Sequence, residues 1–257
     1  MNVYKGYLAV NADSMKITVA SWNIWVHGRQ DFRGIADLIR RNRIDIIGMQ
    51  EAGIYPDERN VDMAKRIAEE LGFHYAFYKT DDLSPDYNCI QGNAVISRFP
   101  MASKHYVISK KSKKAKQSAR RVLVCSAVRI GNGKKLNFLT THLMYSRGFK
   151  SKRKRIAQVN KLIKIAKRLK GPIVLTGDFN SVPENREMRK LGRFLNRTGG
   201  NRPTFAVHPF RDKAWVVKAL KYRLDNIFIS RELRLREFQI MKSGISDHLP
   251  IKAVIEV

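Results

Sequence analysis

The chain has 257 residues, 44% of them hydrophobic, enough to fill one large core or two small ones. Its 50 Lys and Arg against 22 Asp and Glu give a formal charge of +28, which suits a polyanionic partner such as nucleic acid or anionic lipid. Two distant cysteines, Cys89 and Cys125, exclude a disulfide framework and a zinc pattern, and no apolar run is long enough for a transmembrane helix. Residues 1–14 lack the apolar stretch of a secretory signal, so a reducing cytoplasm is expected.

Met15 directly precedes "KITVASWN", which reads as a strand. Residues 1–14 are therefore expected to be an appendage and 15–257 one domain. Residues 31–42, "DFRGIADLIRRN", space Phe32, Ile35, Leu38 and Ile39 as a helix does. "IDIIGMQ" is a near-continuous apolar strand, as in a sheet covered on both faces. "VDMAKRIAEELG" is a helix with Ala64, Ile67, Ala68 and Leu71 inward and Gly72 as its stop. "GNAVISRF", "VLVCSAVRI" and "KLNFLTTHL" follow as strands. "KRIAQVNKLIKIAKRLKG" is a long helix expected to bury Ile156, Val159, Leu162, Ile163, Ala166 and Leu169. The strand "IVLTG", a helix around "EMRKLGRFL", and the strands "LDNIFIS" and "IKAVIEV" complete the chain. Successive strands without intervening helices imply antiparallel pairing, so an α/β domain with mixed or two-sheet architecture is expected over a purely parallel sheet.

Several strands stop on polar residues of one chemical kind. They are Asn23, Gln50-Glu51, His142, and Asp178 with Asn180, and Asp247-His248 precede the last strand. Singly, each has a plain structural use as a turn, a cap or a core histidine. Together they form the donor set of a hard divalent cation and a phosphate-cleaving centre. Asn23, Glu51 and Asp247 are ligand types that Mg²⁺ accepts. Asp178 can orient or deprotonate a water, and Asn180, His142 and His248 can donate to phosphate oxygens. In an extended backbone Asp178 and Asn180 project to one side and Phe179 to the other. No Gly-rich phosphate loop or Ser nucleophile elbow is present, which argues against an NTPase and an α/β-hydrolase.

In order, "SWNI", "MQEA", "GNAVISRFP", "TTHL", "TGDFNS", "RLDNIFIS" and "SDHLPI" resemble the motif series of the endonuclease/exonuclease/phosphatase superfamily over nearly the whole chain from Met15 onward. The resemblance implies a four-layer α/β sandwich like that of deoxyribonuclease I: two mixed β-sheets packed face to face with helices outside. It implies Mg²⁺ or Mn²⁺ as cofactor, with Asn23 and Glu51 at the metal and Asp247 near it. By the same likeness, Asp178 and Asn180 handle water and phosphate, and Asp225 holds His248. The histidine of "TTHL" is similar to that of deoxyribonuclease I, the sphingomyelinases and the tyrosyl-DNA phosphodiesterases, whereas abasic-site enzymes place a tyrosine there. Asn226 stands where relatives often carry an aromatic residue.

Two basic segments bear on the substrate. "KKSKKAKQSARR" supplies Lys110, Lys111, Lys113 and Lys114, and "SRGFKSKRKR" supplies Lys152, Arg153, Lys154 and Arg155 just after His142. They suit a phosphate backbone read by charge. The expected function is therefore a monomeric, metal-dependent phosphodiesterase cleaving nucleic acid. The alternatives are a phosphatase or phospholipase C-type hydrolase on inositol or lipid phosphates, and a non-catalytic polyanion-binding module. Trp25, Phe210 and Trp215 are candidates for stacking a base or touching a bilayer, with core packing as their other use.

Overall fold

The computed structural model describes residues 14–26, 31–56, 61–83, 88–111, 120–131, 133–206 and 220–257. Two parallel strand pairs organise it, each joined through a helix. Strand β1 (Lys16–Asn23) passes through α1 (Phe32–Arg41) into β2 (Ile46–Tyr55). Strand β8 (Lys135–His142) passes through α3 (Arg153–Ala166) into β9 (Ile173–Asp178). Parallel neighbours need such a crossover, whereas antiparallel ones close with a turn. Because each pair is parallel, both of its strands finish at the same sheet edge. In register, Asn23 stands beside Gln50, and His142 stands beside Asp178.

The remaining strands pair antiparallel around these. Between α1 and β8 come β3 (Val61–Asp62), α2 (Met63–Leu71), β4 (His74–Asp82), β5 (Ile90–Ser97), β6 (Met101–Ser109) and β7 (Arg121–Arg129). After β9 come α4 (Arg186–Phe194), β10 (Asn196–Arg197), β11 (Phe205–Ala206), β12 (Leu220–Tyr222), β13 (Asp225–Ile229), β14 (Arg234–Ile240) and β15 (Ile251–Glu256). One sheet runs β14-β15-β1-β2-β5-β4, with β3 against β2, and the second runs β10-β13-β9-β8-β7-β6. Strands β11 and β12 form a separate hairpin.

The period-two alternation of each strand sorts its side chains between two cores. Ile17 and Val19 of β1 point between the sheets, with Ile46, Val124, Phe138, Val174 and Ile227. Ala20 and Trp22 point outward under α1 and α2, beside Ile35, Ile39 and Ile67. On the opposite side, Leu139, Leu175 and Phe228 pack beneath Val159 and Leu162 of α3 and Leu191 of α4. The order is helices, sheet, sheet, helices, the four-layer sandwich that the motif series implies. A side chain at Gly48 would meet the hydroxyls of Thr140 and Thr176 at 2.5 Å, so glycine lets the two sheets close up there. Asp31 and Asp62 cap α1 and α2 through the N–H groups of Gly34 and Lys65, both at 3.0 Å. Gly72 ends α2 in the left-handed conformation at φ 67°.

Helix α3 departs from expectation. It buries Arg155, Gln158, Val159, Leu162, Ile165 and Ala166, while Ile156, Ile163 and Leu169 are only half-buried. Two polar residues rotate the helix. Arg155 reaches a buried carboxylate, and Gln158 Oε1 accepts the N–H of Met144 at 3.1 Å. Among the described residues no helix is long and apolar enough to cross a membrane.

Candidate active site

The four parallel strand ends converge because the two sheets stack face to face, and the polar residues at those ends meet in one cleft. Asn23 lies between the sheets' carboxylates. Its Nδ2 donates to Glu51 Oε1 at 3.1 Å and to Asp178 Oδ2 at 3.2 Å, and its Oδ1 accepts the N–H of Trp25 at 3.0 Å. Glu51 sits at a bulge of β2 with a left-handed φ of 56°, which turns its carboxylate out of the ladder into the cleft. Gln50, its neighbour, stays below and donates to Thr140 of the facing sheet at 2.8 Å.

Asp178 serves two functions with its two oxygens. Oδ1 accepts the N–H of Asn180 at 2.8 Å, a local turn that ends β9 and holds Asn180 at φ 48°. Oδ2 faces the cleft, 3.3 Å from His142 Nε2 and 3.7 Å from His248 Nε2. Phe179 points away into the helix-side core. Asn180 donates Nδ2–H to Leu143 O at 3.0 Å and lies 2.8 Å from His142 Nε2, so that nitrogen is the acceptor. Gly177 makes this possible, since a Cβ there would lie 2.1 Å from Thr141 O.

His248 is held from behind. Its Nδ1 is 2.9 Å from Asp225 Oδ2, and Asp225 stands beside Asp178 in the β9–β13 register. The His248 N–H donates to Ser246 Oγ at 3.1 Å, Ser246 Oγ donates to Asn23 O at 2.6 Å, and Phe205 packs on the imidazole with ring centroids 4.7 Å apart. These contacts tie the 246–248 turn to β1.

The two histidines are in opposite charge states. Burial, then the nearby cations Arg121 and His248, keep His142 well below the ordinary histidine range, so it is neutral. Burial also pulls His248 toward neutrality, but Asp225, Asp178 and Asp247 outweigh it and push its pKa up to about 10. Burial raises Asp178, while His248 and the Asn180 N–H pull it back. Asp247 is pushed up to about 6, first by burial and also by the Glu51 charge. The Glu51 charge acts on Asp247, so the two carboxylates stand near one another in the cleft. Glu51 and Asp247 are both half-buried and line the cleft. Their oxygens, with the Asn23 amide after it turns over, form the donor set of a hard divalent ion. Asp178, Asp225 and His248 also cluster closely enough for a metal. A protonated imidazole bonded to Asp225 has no lone pair to offer, so the Glu51 side is the better fit.

Sequence reasoning missed Arg121. It begins β7, whose Leu123 pairs with Thr141, and its guanidinium is close enough to Glu51 and Asp178 to feel both charges. Burial lowers its proton affinity, and among the described residues it makes no ion pair within 4.0 Å. It had been hidden as the last letter of a basic loop.

The basic segments separate. Lys152, Arg153 and Lys154 are exposed beside the turn that leaves β8, and Lys110 and Lys111 are exposed at the end of β6, Lys111 paired with Asp81 at 2.8 Å. Lys113, Lys114, Phe210 and Trp215 lie outside the described residues, and Trp25 is half-buried at the cleft. Arg155 is not a surface cation for nucleic acid. It is 0% exposed, pairs with Glu187 at 2.6 Å and donates to the carbonyls of Met144 and Phe149 at 3.1 Å. An internal carboxylate claimed it, so it shapes the loop after His142 instead.

Comparison with solved structures gives the same architecture. An endonuclease/exonuclease/phosphatase family protein from Bacteroides thetaiotaomicron is 20% identical, with 95% of each chain covered and a TM-score of 0.72. The mannosyl-6-phosphatase Bt3783 of the same organism is 19% identical, covering 93% of this chain and 99% of its own, with a TM-score of 0.70. Danio rerio TDP2 in complex with a single-strand DNA product is 16% identical, covering 93% and 98%, with a TM-score of 0.68. The curated proteins contain no match. Residues 20–248 match the model of the Endonuclease/Exonuclease/phosphatase family, and the chain belongs to that family of hydrolytic phosphoesterases.

Proposed function

We propose that this protein is a divalent-metal-dependent phosphodiesterase that cleaves a nucleic-acid backbone. The observation that carries the reading is Asp178 Oδ2 held within 3.7 Å of His248 Nε2 and 3.3 Å of His142 Nε2, at the converging ends of two sheets. Asp178 can present Oδ2 to a water, since the turn is capped by Oδ1 alone. Its raised proton affinity suits it to take that water's proton as the oxygen attacks phosphorus. The His248 imidazolium donates its Nε2–H to the phosphate oxygens, where negative charge grows in the transition state, while Asn180, whose two Nδ2 hydrogens go to Leu143 O and His142 Nε2, holds His142 in place. Arg121 adds a fixed positive charge on the β7 side of the cleft. Members of the family generally use divalent metals, and here Glu51, Asp247 and Asn23 would hold one. Bound there, it would supply Lewis-acid stabilisation of a phosphoryl oxygen.

The polymer substrate is supported by the +28 charge and by the exposed Lys152, Arg153 and Lys154 in the segment that follows His142. TDP2, one structural neighbour, is seen with a single-strand DNA product, and another is a mannosyl-6-phosphatase. A panel of labelled single- and double-stranded DNA, RNA, inositol phosphates and lipid vesicles with Mg²⁺ separates the readings. Nucleic acid turned over fastest supports the proposal. Faster turnover of a sugar, inositol or lipid phosphate overturns it.

A further inference from the structure

On the outside of the six-stranded sheet, α3 and α4 enclose a groove of about 660 Å³. Its floor is Ile156, Ile163 and Phe194, and Ile156 and Ile163 are two of the apolar residues that the rotated α3 leaves half-buried. They are seven residues apart, two helical turns or about 10 Å. Lys167 and Arg186 flank the floor, and Arg189, Lys190 and Arg193 continue the wall along α4. All five cations are exposed, and among the described residues none of them is ion-paired. Helix α3 contains no acid, and the single acid of α4, Glu187, is turned inward onto Arg155.

We infer that this groove docks an acidic amphipathic segment of a partner protein. Its apolar side chains would enter the floor at i, i+3 and i+7 spacing, and its carboxylates would meet the walls. Charge complementarity selects this occupant. A second copy of a +28 chain would be repelled. A flat bilayer cannot enter a concave groove between two helices. A nucleic acid would satisfy the walls but leave its base edges on an aliphatic floor with one aromatic ring, Phe194, for stacking. None of the groove residues belongs to the cleft, so the inference stands apart from the substrate reading.

The test uses the intact protein and fluorescence anisotropy of a short helical peptide carrying leucines at i, i+3 and i+7 among glutamates. Its control has the same composition with the leucines scattered. The amphipathic peptide is expected to bind at least about tenfold tighter than its control, a margin of about 1.4 kcal/mol. Ile163→Asp and, separately, the pair Arg189→Glu and Arg193→Glu should each remove at least about tenfold of that binding. Hydrolysis of a small chromogenic phosphodiester should stay unchanged in both variants. Three results would overturn the inference: equal binding of the two peptides, failure of either variant to weaken binding, or displacement of the peptide by a single-stranded oligonucleotide at equal charge. The last would make the groove a nucleic-acid track.

Discussion

Asp225 Oδ2 sits 2.9 Å from His248 Nδ1, and both side chains are buried. The carboxylate fixes which imidazole nitrogen faces the cleft and keeps the ring charged. Among the described residues its other oxygen, Oδ1, has no hydrogen-bond partner, so the residue makes little structural return for its burial. Asp225→Asn is expected to lower turnover by about two to four decades while retaining a cooperative thermal transition. Loss of that transition in the variant would make Asp225 a structural residue.

The same pair sets a pH dependence of stability. His248 has a folded pKa raised to about 10 against an ordinary 6.5. Its contribution is therefore complete below pH 6.5 and is lost as pH rises toward 10. Across that range the Tm of the wild type should fall more steeply than that of Asp225→Asn, in scans of both proteins in matched buffers. Parallel curves would show that the imidazole is not held charged by Asp225.

Arg155 and its neighbours in sequence should behave in opposite ways. Removing Arg155 leaves Glu187 buried and unpaired, so Arg155→Ala should cost about 3–5 kcal/mol in denaturant unfolding. Replacing the exposed Lys152, Arg153 and Lys154 together by Ser should change stability by less than about 1 kcal/mol. That triple variant should also flatten the salt dependence of nucleic-acid binding. A stable Arg155→Ala would remove the loop-shaping role assigned to it.

Glu51 and Asp247, close enough for the Glu51 charge to act on Asp247, would hold the proposed cation. Mg²⁺ binding should raise the Tm of the wild type, and more so at pH 8 than at pH 5, where the raised Asp247 carboxyl competes for a proton. Glu51→Gln should abolish most of that shift without lowering the metal-free Tm. An undiminished shift in the variant would move the metal to other ligands.

Most of the cleft was legible because its residues stand at the ends of apolar strands, where a polar side chain has no packing reason to be. "IVLTGD" opens on three apolar residues and ends on a carboxylate, and "KLNFLTTH" carries Leu136, Phe138 and Leu139 and ends on a histidine. Edge strands β4, β6 and β14 were not legible. Their side chains are mostly exposed or half-buried, and charge masks their alternation. Arg155 and Arg121 were misread or missed for one reason. A cation in a basic run looks solvated, and only the fold reveals that Glu187 captures one and that the cleft receives the other. The face of α3 was misjudged because Arg155 and Gln158, both polar, turn inward and leave Ile156 and Ile163 toward the groove.

Hydrolysis of one labelled oligonucleotide duplex by the wild type and by Asp178→Asn, each with Mg²⁺ and with excess EDTA, tests the account most directly. Asparagine keeps the Oδ1 cap on Asn180 but cannot accept the water's proton, so turnover should fall by about two to four decades with binding retained. EDTA should abolish cleavage by the wild type. Cleavage by Asp178→Asn within a few-fold of wild type, or full wild-type cleavage in EDTA, would contradict the account.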